Sequence, residues 1–232
     1  MLSIKNISLS AGDFCIKNLS LEIADGEYHA LLGPSGSGKT VLLNTIAGFQ
    51  NINEGQIFLE GKEITRAQAE KRNVAYLFQD LALFPHLDVF ANIAYPLRTS
   101  GMKPEKINEL VNEYMDFAQI SELRKRKIDK LSGGEKQRTA LARILVTKKP
   151  LIMLDEPFSA IDSQLKTGLK SLLKKISDTG ITIIHVTHDL DEIKGLAKKI
   201  SIIEKGVIAY SGNYNEIIDS SHSDFISGFR KK

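Results

Sequence analysis

The sequence has only one cysteine, and it contains no apolar run long enough to cross a bilayer. Cys15 can form no disulfide within the chain, which favours a reducing, cytoplasmic setting, and its place in a strand-like run predicts a buried thiol. Because a membrane-spanning helix needs about 20 mostly apolar residues, we expect a chain that is soluble by itself. The N-terminus alternates polar and apolar residues, so it lacks the apolar block of a signal peptide.

Charge of one sign is not in excess either: 31 Lys and Arg residues accompany 28 Asp and Glu residues, for a net charge of +3. Such an even balance gives no reason to expect nucleic acid as a partner. The only dense basic run, Arg124–Lys127, is expected to be a solvated helix end. No internal repeat, low-complexity tract or flexible linker divides the 232 residues, which are enough for one large domain.

Strand and helix patterns alternate along much of the chain. Residues 1–30 read as antiparallel strands with a turn at Ala11–Asp13. Residues 83–147 are mainly helical in pattern, and Pro104 stands at a plausible first helical position. The unbroken apolar segment Leu151–Asp155 is typical of a parallel strand covered on both faces. Together these patterns predict an α/β fold.

The segment GPSGSGKT, Gly33–Thr40, follows a predicted strand, precedes a predicted helix and matches the phosphate-loop pattern G-x-x-x-x-G-K-[ST]. Glycines let successive backbone N–H groups converge on phosphate oxygens without Cβ clashes. Lys39 adds a positive charge at the β- and γ-phosphates, and the Thr40 hydroxyl can bind Mg²⁺. The nucleotide-binding residues predicted in this phosphate loop are Gly33, Pro34, Ser35, Gly36, Ser37, Gly38, Lys39, Thr40 and Val41.

Two acidic residues, Asp155 and Glu156, end the apolar strand. Open α/β sheets bind ligands at the carboxyl ends of their strands. Asp155 is therefore predicted to hold Mg²⁺, and Glu156 to polarise the water that attacks the γ-phosphate. Without the phosphate loop, a strand-terminal turn before Pro157 would explain the same pair.

A second candidate anion site lies in LSGGEKQR, Leu131–Arg138, which we call the signature segment. It places two glycines at the start of a helical pattern, and a helix N-terminus binds anions. Ser132, Gly133 and Gly134 are the candidate contacts. The alternative is a Ser-capped helix start with no ligand.

These segments together resemble the ATP-binding cassette (ABC) family over about residues 2–215, and LSGGEKQR corresponds to the signature sequence of that family. The resemblance implies a P-loop NTPase (RecA-like) α/β core with an antiparallel β subdomain and a helical subdomain. It implies one ABC ATPase domain over residues 1–232. The core and β subdomain would occupy 1–82 and 148–232, and the helical subdomain 83–147. The chain ends soon after Gly212, so we expect no C-terminal regulatory domain.

The resemblance further implies an ATPase in which two copies, or one copy and a paralogous cassette, enclose two MgATP molecules. The phosphate loop of one subunit would face the signature segment of the other. Ser132, Gly133 and Gly134 would then contact ATP held by the partner, and Asp162 would lie across the dimer seam.

Two further residues match family positions within one copy. Gln79 would contact Mg²⁺ and the attacking water, and His188 would contact the γ-phosphate, whereas His185 is expected to be structural. The implied catalytic residues are Glu156, His188, Gln79 and Lys39, and the implied metal ligands are Thr40, Gln79 and Asp155.

The adenine contact departs from the family pattern. Members commonly stack adenine on an aromatic residue in the early β region, but the matching position falls near Ser10 or Ala11. Phe14 or Tyr28 could substitute, although Tyr28 is expected to pack in the core. ATP rather than GTP is therefore implied by the resemblance alone.

The segment Leu83–Arg98 is similar to the part of solute importers that receives a helix of the membrane subunit. Phe84, Pro85, His86 and Leu87 are the docking candidates, with packing inside the helical subdomain as the alternative. The implied partners are transmembrane permease subunits and an extracytoplasmic solute-binding protein, and the implied location is the cytoplasmic face of the membrane.

Within the importers, GKTVLLNTIAGF and IIHVTHD resemble molybdate, tungstate or sulfate cassettes. An exporter or lipid-extractor subunit and a soluble ATPase without a transport role remain alternatives. The transported molecule is not predicted, because specificity should reside in subunits absent from this chain.

Overall fold

The computed structural model describes residues 1–159 and 161–219, which form ten strands and seven α-helices. The strands are β1 Leu2–Ala11, β2 Phe14–Ile23, β3 Tyr28–Leu32, β4 Glu54–Leu59, β5 Lys62–Glu63, β6 Val74–Leu77, β7 Leu151–Asp155, β8 Thr182–Thr187, β9 Lys199–Glu204 and β10 Val207–Asn213. The helices are α1 Lys39–Ala47, α2 Val89–Arg98, α3 Pro104–Ala118, α4 Gly133–Leu145, α5 Ser163–Asp178, α6 Leu190–Ile193 and α7 Tyr214–Asp219. Among these residues no helix has the length and apolar character needed to cross a membrane.

The larger sheet has six strands in the order β10-β9-β3-β8-β7-β6. All neighbours are parallel except β10, which pairs antiparallel with β9 in a hairpin. In this register Leu32 lies beside Thr187, and Asp155 lies beside Val186. The carboxyl ends of β3, β7 and β8 therefore meet at one edge of the sheet, where open α/β sheets bind ligands.

The smaller sheet is antiparallel, in the order β2-β1-β4-β5. Its inward side chains share one apolar cluster with Leu42, Leu43 and Ile46 of α1, and with Ile184 and Val186 of β8. Because α1 is buried between the two sheets, the loop that precedes it is held at the edge of the larger sheet.

The segment between β6 and β7 is helical, and capping chemistry sets where its helices begin. The Asp88 side chain accepts a hydrogen bond from the Ala91 N–H at 2.7 Å before α2, and Pro104 is the first residue of α3. The buried positions of α3 recur at helical spacing, and they are Ile107, Leu110, Val111, Met115 and Ala118. The predicted α/β fold, with its antiparallel and helical parts, is confirmed.

The prediction of a buried thiol is wrong, because Cys15 is exposed. Simple alternation would place Cys15 on the same face of β2 as Leu19. The backbone at Asn18 instead has φ 48°, and the pairing of β1 with β2 shifts register nearby. One extra residue of this kind moves the following side chains to the other face, so Ile16 is buried in place of Cys15.

The basic run Arg124–Lys127 is not the end of an α-helix, since it lies between two short 3₁₀ turns at Ser121–Leu123 and Ile128–Lys130. Arg124 is half-buried, with its guanidinium 3.7 Å from the centre of the Phe90 ring. The run is therefore solvated only in part.

Candidate functional site

The phosphate loop connects β3 to α1, and close packing requires two of its three glycines, Gly33 and Gly38. Gly38 has φ 106°, and a Cβ there would lie 2.6 Å from the Phe14 ring. A Cβ on Gly33 would lie 2.2 Å from the Ile203 carbonyl oxygen. The loop is thus pressed against β2 on one side and β9 on the other.

The Lys39 side chain folds back over the phosphate loop. Its Nζ donates hydrogen bonds to the Gly33 carbonyl at 2.8 Å and to the Pro34 carbonyl at 2.9 Å, and the residue is only 6% exposed. Burial lowers the pKa of Lys39, whereas the charges of Glu156 and Asp155 act in the opposite direction. The loop therefore encloses a positive charge next to its own backbone N–H groups.

The turn between β9 and β10 packs against the phosphate loop. The Gly206 N–H donates to the Ser37 carbonyl at 3.1 Å. A Cβ on Gly206 would lie 2.1 Å from the Cys15 carbonyl oxygen, so this turn fits closely against β2 as well. The backbone of the loop is consequently set by contacts with two strands distant in sequence.

Thr40 and Asp155 meet beside the loop. The Thr40 hydroxyl donates to Asp155 Oδ1 at 3.2 Å, and the Tyr76 hydroxyl donates to Asp155 Oδ2 at 3.1 Å. Burial of Asp155, which is 3% exposed, raises its pKa, and the Thr40 and Tyr76 hydrogen bonds oppose that rise. Burial also raises the pKa of Tyr76, so its hydroxyl keeps the proton that it donates.

A hydroxyl and a carboxylate are hard oxygen donors of the kind that Mg²⁺ takes together with phosphates and waters. The residues present therefore fit the predicted metal. Residues 1–159 and 161–219 hold no cluster of three or more His, Cys, Asp and Glu side chains that could bind a metal. A site at Thr40 and Asp155 would thus depend on phosphate oxygens for its remaining ligands.

Gln79 is not joined to this pair. Strand β6 ends at Leu77, so Gln79 lies two residues beyond the end of the strand, where it is exposed. Within the described ranges no hydrogen bond connects Gln79 to Thr40 or Asp155.

Glu156 and His188 lie together at the same edge of the sheet. His188 Nδ1 is 3.1 Å from Glu156 Oε1, although the two residues are far apart in sequence. Glu156 has φ 46°, which few non-glycine residues adopt, and its N–H donates to the Val186 carbonyl at 2.9 Å. The strained turn is held by β8, and strain of this kind clusters at functional sites.

The segment that carries His188 is anchored on both sides. The Thr187 hydroxyl donates to Glu192 Oε2 at 2.6 Å and accepts from the Asp189 N–H at 3.0 Å. Glu192 Oε1 also accepts from Lys166 Nζ of α5 at 3.0 Å. The sequence reasoning missed Glu192, and only its spacing from His188 could have drawn attention to it.

The signature segment forms a complete capping box at the start of α4. Ser132 Oγ accepts from the Glu135 N–H at 3.3 Å, and the Ser132 N–H donates to Glu135 Oε2 at 2.7 Å. The second of these bonds lowers the pKa of Glu135. Gly133 and Gly134 are the first residues of the helix, where backbone N–H groups are free to bind an anion.

The cavity beside the signature segment has no residue of the phosphate loop in its lining. This cavity, about 200 Å³, is lined by residues of the α3–α4 region and of α5, including Ser132, Gly134 and Gly168. Asp162 precedes α5, is exposed and makes no capping bond with its side chain. Ala160, two residues before Asp162, falls outside the described residues.

The candidate adenine partners differ in their surroundings. Tyr28 is 3% exposed, and its hydroxyl lies 2.8 Å from Nδ1 of the fully buried His185. Desolvation lowers the pKa of His185 to about 3, so His185 is a neutral core residue, as its expected structural role requires. Phe14 is half-buried against Gly38, which leaves it as the aromatic residue beside the phosphate loop.

The docking candidates, residues 84–87, form a surface loop before α2 that is held by hydrogen bonds to Asn92. The buried Asn92 side chain accepts from the Phe84 N–H at 2.9 Å and donates to the Phe84 carbonyl at 3.1 Å. Pro85 and His86 are exposed, whereas Phe84 is half-buried with its ring centre 4.5 Å from that of Tyr95.

Comparisons with protein families, with curated relatives and with solved structures all find ATP-binding subunits of ABC transporters. The profile described as ABC transporter matches residues 16–159. The chain is 41% identical over 230 residues to the spermidine/putrescine import ATP-binding protein PotA of Thermotoga maritima, covering 98% of this chain and 62% of that protein. It is 40% identical over 228 residues to the sulfate/thiosulfate import ATP-binding protein CysA of Synechocystis, covering 97% and 64%.

The molybdate/tungstate import ATP-binding protein WtpC of Methanocaldococcus jannaschii is 44% identical over 213 residues, covering 92% of this chain and 71% of that protein. The chain thus spans less than two thirds of the length of the PotA and CysA relatives. Among solved structures, the dimeric ATP-binding cassette MJ0796 bound to ADP and Pi is similar with a TM-score of 0.81 and 29% identity. That likeness covers 92% of this chain and 98% of the MJ0796 chain.

Proposed function

The chain belongs to the ABC transporter family, and on that premise we propose that it is the ATP-hydrolysing subunit of a membrane importer. In the proposed cycle, two copies close around two MgATP molecules and separate after hydrolysis. The observation that carries the proposal is the convergence of the phosphate loop, the Thr40–Asp155 pair and the Glu156–His188 pair at one edge of the sheet.

The phosphate loop would bind the β- and γ-phosphates through its backbone N–H groups and the ammonium of Lys39. Thr40 and Asp155 would hold Mg²⁺, with Gln79 reaching it after its loop moves. The bound ion neutralises charge on the phosphate oxygens. Phe14 is the candidate for stacking on the adenine, since it lies against Gly38.

Glu156 would act as the general base. Its carboxylate would accept a proton from the water that attacks the γ-phosphate in line, a role that requires it to lie within hydrogen-bond reach of that water. His188, 3.1 Å from Glu156 Oε1, would orient the carboxylate and donate to the γ-phosphate. Lys39 and His188 then stabilise the charge that develops in the transition state.

The signature segment accounts for the dimer. Its capping box and the start of α4 form an anion site that the phosphate loop of the same chain does not contribute to. In the proposal Ser132, Gly133 and Gly134 bind the γ-phosphate of ATP held by the second copy, and Asp162 lies at the seam. The solved MJ0796 cassette, which is described as dimeric, supports this arrangement.

Permease subunits are the proposed membrane partners, docking on the partly exposed loop Phe84–Leu87 and holding the chain at the cytoplasmic face of the membrane. The proposed division of the domain is 1–82 with 148–232 for the core and β subdomain, and 83–147 for the helical subdomain.

The names of the relatives refer to import of polyamines, sulfate or thiosulfate, and molybdate or tungstate. We therefore propose that this chain energises a solute importer, and we expect its partner subunits to determine which solute is carried.

The test uses Glu156→Gln. This variant keeps the side-chain shape but cannot accept the proton, so we expect ATP to bind normally, turnover to stop and dimers to accumulate in MgATP. ATPase assays, ATP binding and analytical ultracentrifugation measure the three outcomes. Retained turnover would remove Glu156 as the base, and a variant that stays monomeric in saturating MgATP would refute the shared site.

A second experiment separates the importer from the alternatives. Affinity purification of the chain from detergent-solubilised membranes should recover a permease. A gene for a solute-binding protein should lie beside the gene of that permease. A permease without a solute-binding protein would favour an exporter or lipid extractor, and the absence of any membrane partner would favour a soluble ATPase.

A further inference from the structure

The two oxygens of the Asp155 carboxylate each accept one side-chain hydrogen bond. Thr40 donates to Oδ1 at 3.2 Å, and Tyr76 donates to Oδ2 at 3.1 Å. Thr40 is itself a proposed metal ligand, so its hydroxyl would turn to the ion when the ion is bound. The Tyr76 hydroxyl would then be the donor that keeps the carboxylate in place.

Tyr76 is held firmly enough to act in this way. It pairs with Met153 in the sheet, so its strand runs directly beside the strand that ends at Asp155. Its ring centre lies 4.3 Å from that of Phe78 and 6.4 Å from that of Phe49, in stacked arrangements. Aromatic pairs of this geometry attract each other beyond the area they bury, so the ring is held in one orientation.

We propose that Tyr76 is a positioning residue for the nucleotide-bound metal, because its hydroxyl fixes Asp155 Oδ2 and so aims the carboxylate at Thr40 and the phosphates. This inference rests on the proposed function, since it requires a metal–nucleotide complex at the site. Residues that hydrogen-bond to metal ligands fix the direction of those ligands, and removing them typically costs about 10- to 100-fold in metal affinity. Loss of the Tyr76 hydroxyl would leave a buried carboxylate oxygen without its donor.

A purely structural hydroxyl would behave differently. Removing it would change the stability of the fold but would leave the affinity for the metal untouched. The measurement that separates the two roles is therefore metal binding itself, made on a folded variant with the same ring.

The experiment compares the full chain with Tyr76→Phe, which keeps the ring and its stacking, and with Tyr114→Phe as a control. Tyr114 is a partly buried tyrosine of α3, in the helical segment and outside the proposed site. Mn²⁺ is titrated into each protein loaded with ADP, with the protein in excess so that little free nucleotide remains to chelate the ion, and the loss of the free-Mn²⁺ electron paramagnetic resonance signal reports binding. ADP affinity in EDTA and thermal unfolding are measured in parallel.

We expect the apparent dissociation constant for Mn²⁺ to rise about tenfold or more in Tyr76→Phe. The same variant should bind ADP normally in EDTA, and Tyr114→Phe should match the wild type throughout. A change of less than twofold in Tyr76→Phe, or an equal loss in Tyr114→Phe, would overturn the proposal. If the wild type itself bound ADP without any effect of Mn²⁺, the proposed function would fail first and this inference with it.

Discussion

Arg72 gives the sharpest prediction about the stability of this fold. It is 2% exposed, and its guanidinium donates to four carbonyl groups: Thr45 at 2.7 Å, Ile46 at 3.1 Å, Ala67 at 2.9 Å and Thr65 at 2.8 Å. Two of these carbonyls belong to the last turn of α1, the helix that begins at Lys39. Arg72 thus completes the carboxyl end of the helix whose other end follows the phosphate loop.

The proposed change is Arg72→Met, which keeps much of the volume and removes every donor. The Thr45 carbonyl keeps the Gly48 N–H as a donor at 3.3 Å, whereas the Ile46, Thr65 and Ala67 carbonyls lose the donor that Arg72 supplies. A buried carbonyl left without a donor costs about 1–3 kcal/mol, so these three, two of them only part-buried, predict a loss of about 2 kcal/mol or more. At about 2–4 °C per kcal/mol for a chain of this size, the melting temperature should fall by at least about 4 °C. Urea unfolding followed by circular dichroism suits a chain that has no tryptophan.

The matched control is Arg66→Met, because Arg66 is exposed on the same segment. An exposed substitution of this kind should change the free energy of unfolding by less than about 0.5 kcal/mol. If Arg72→Met unfolded within 1 kcal/mol of the wild type, the assignment of Arg72 as the cap of α1 would be wrong.

Two further predictions concern the strand β8 and the segment after it. Glu192→Ala removes the acceptor of the Thr187 hydroxyl and loosens the segment that carries His188. We therefore expect kcat to fall about tenfold, a barrier increase of about 1.4 kcal/mol, with an unchanged KM for ATP. Steady-state ATPase kinetics that show a changed KM and a normal kcat would contradict this. The second prediction concerns His185, whose pKa of about 3 in the folded chain lies below the ordinary value for histidine. As pH falls, the unfolded chain therefore takes up the proton first, and the folded chain should lose stability below about pH 6.5. Between pH 6.5 and 5 this amounts to about 2 kcal/mol, and urea unfolding of His185→Asn should show a correspondingly shallower dependence than the wild type; equal slopes would refute the buried neutral imidazole.

Much of the local structure could be predicted because its causes are local. The capping box needs only Ser132 and Glu135 three residues apart, and Pro104 suits the first turn of a helix by its fixed φ. The apolar segment 151–155 could be recognised as a buried parallel strand from its composition alone. The fold class followed from these elements in their order along the chain.

Other features could not be predicted, because they depend on residues distant in sequence. The irregularity at Asn18 exposes Cys15, and the pattern of alternation gave no sign of it. The hydroxyl of Tyr76 reaches Asp155 only because β6 and β7 are neighbours in the sheet. The contact between Phe14 and Gly38 likewise joins two elements that no local pattern pairs.

By itself, the sequence determined which chemical groups this protein carries: a glycine loop with Lys39 and Thr40, a strand ending in two carboxylates, and a capped helix start at Ser132. The tertiary structure decided which of these groups share a site. It joins Thr40 to Asp155 and Glu156 to His188, and the cavity beside Ser132 has none of these four residues in its lining. The physical reason is that backbone preferences and caps act over a few residues, whereas strand order and packing set the distances between groups far apart in the chain.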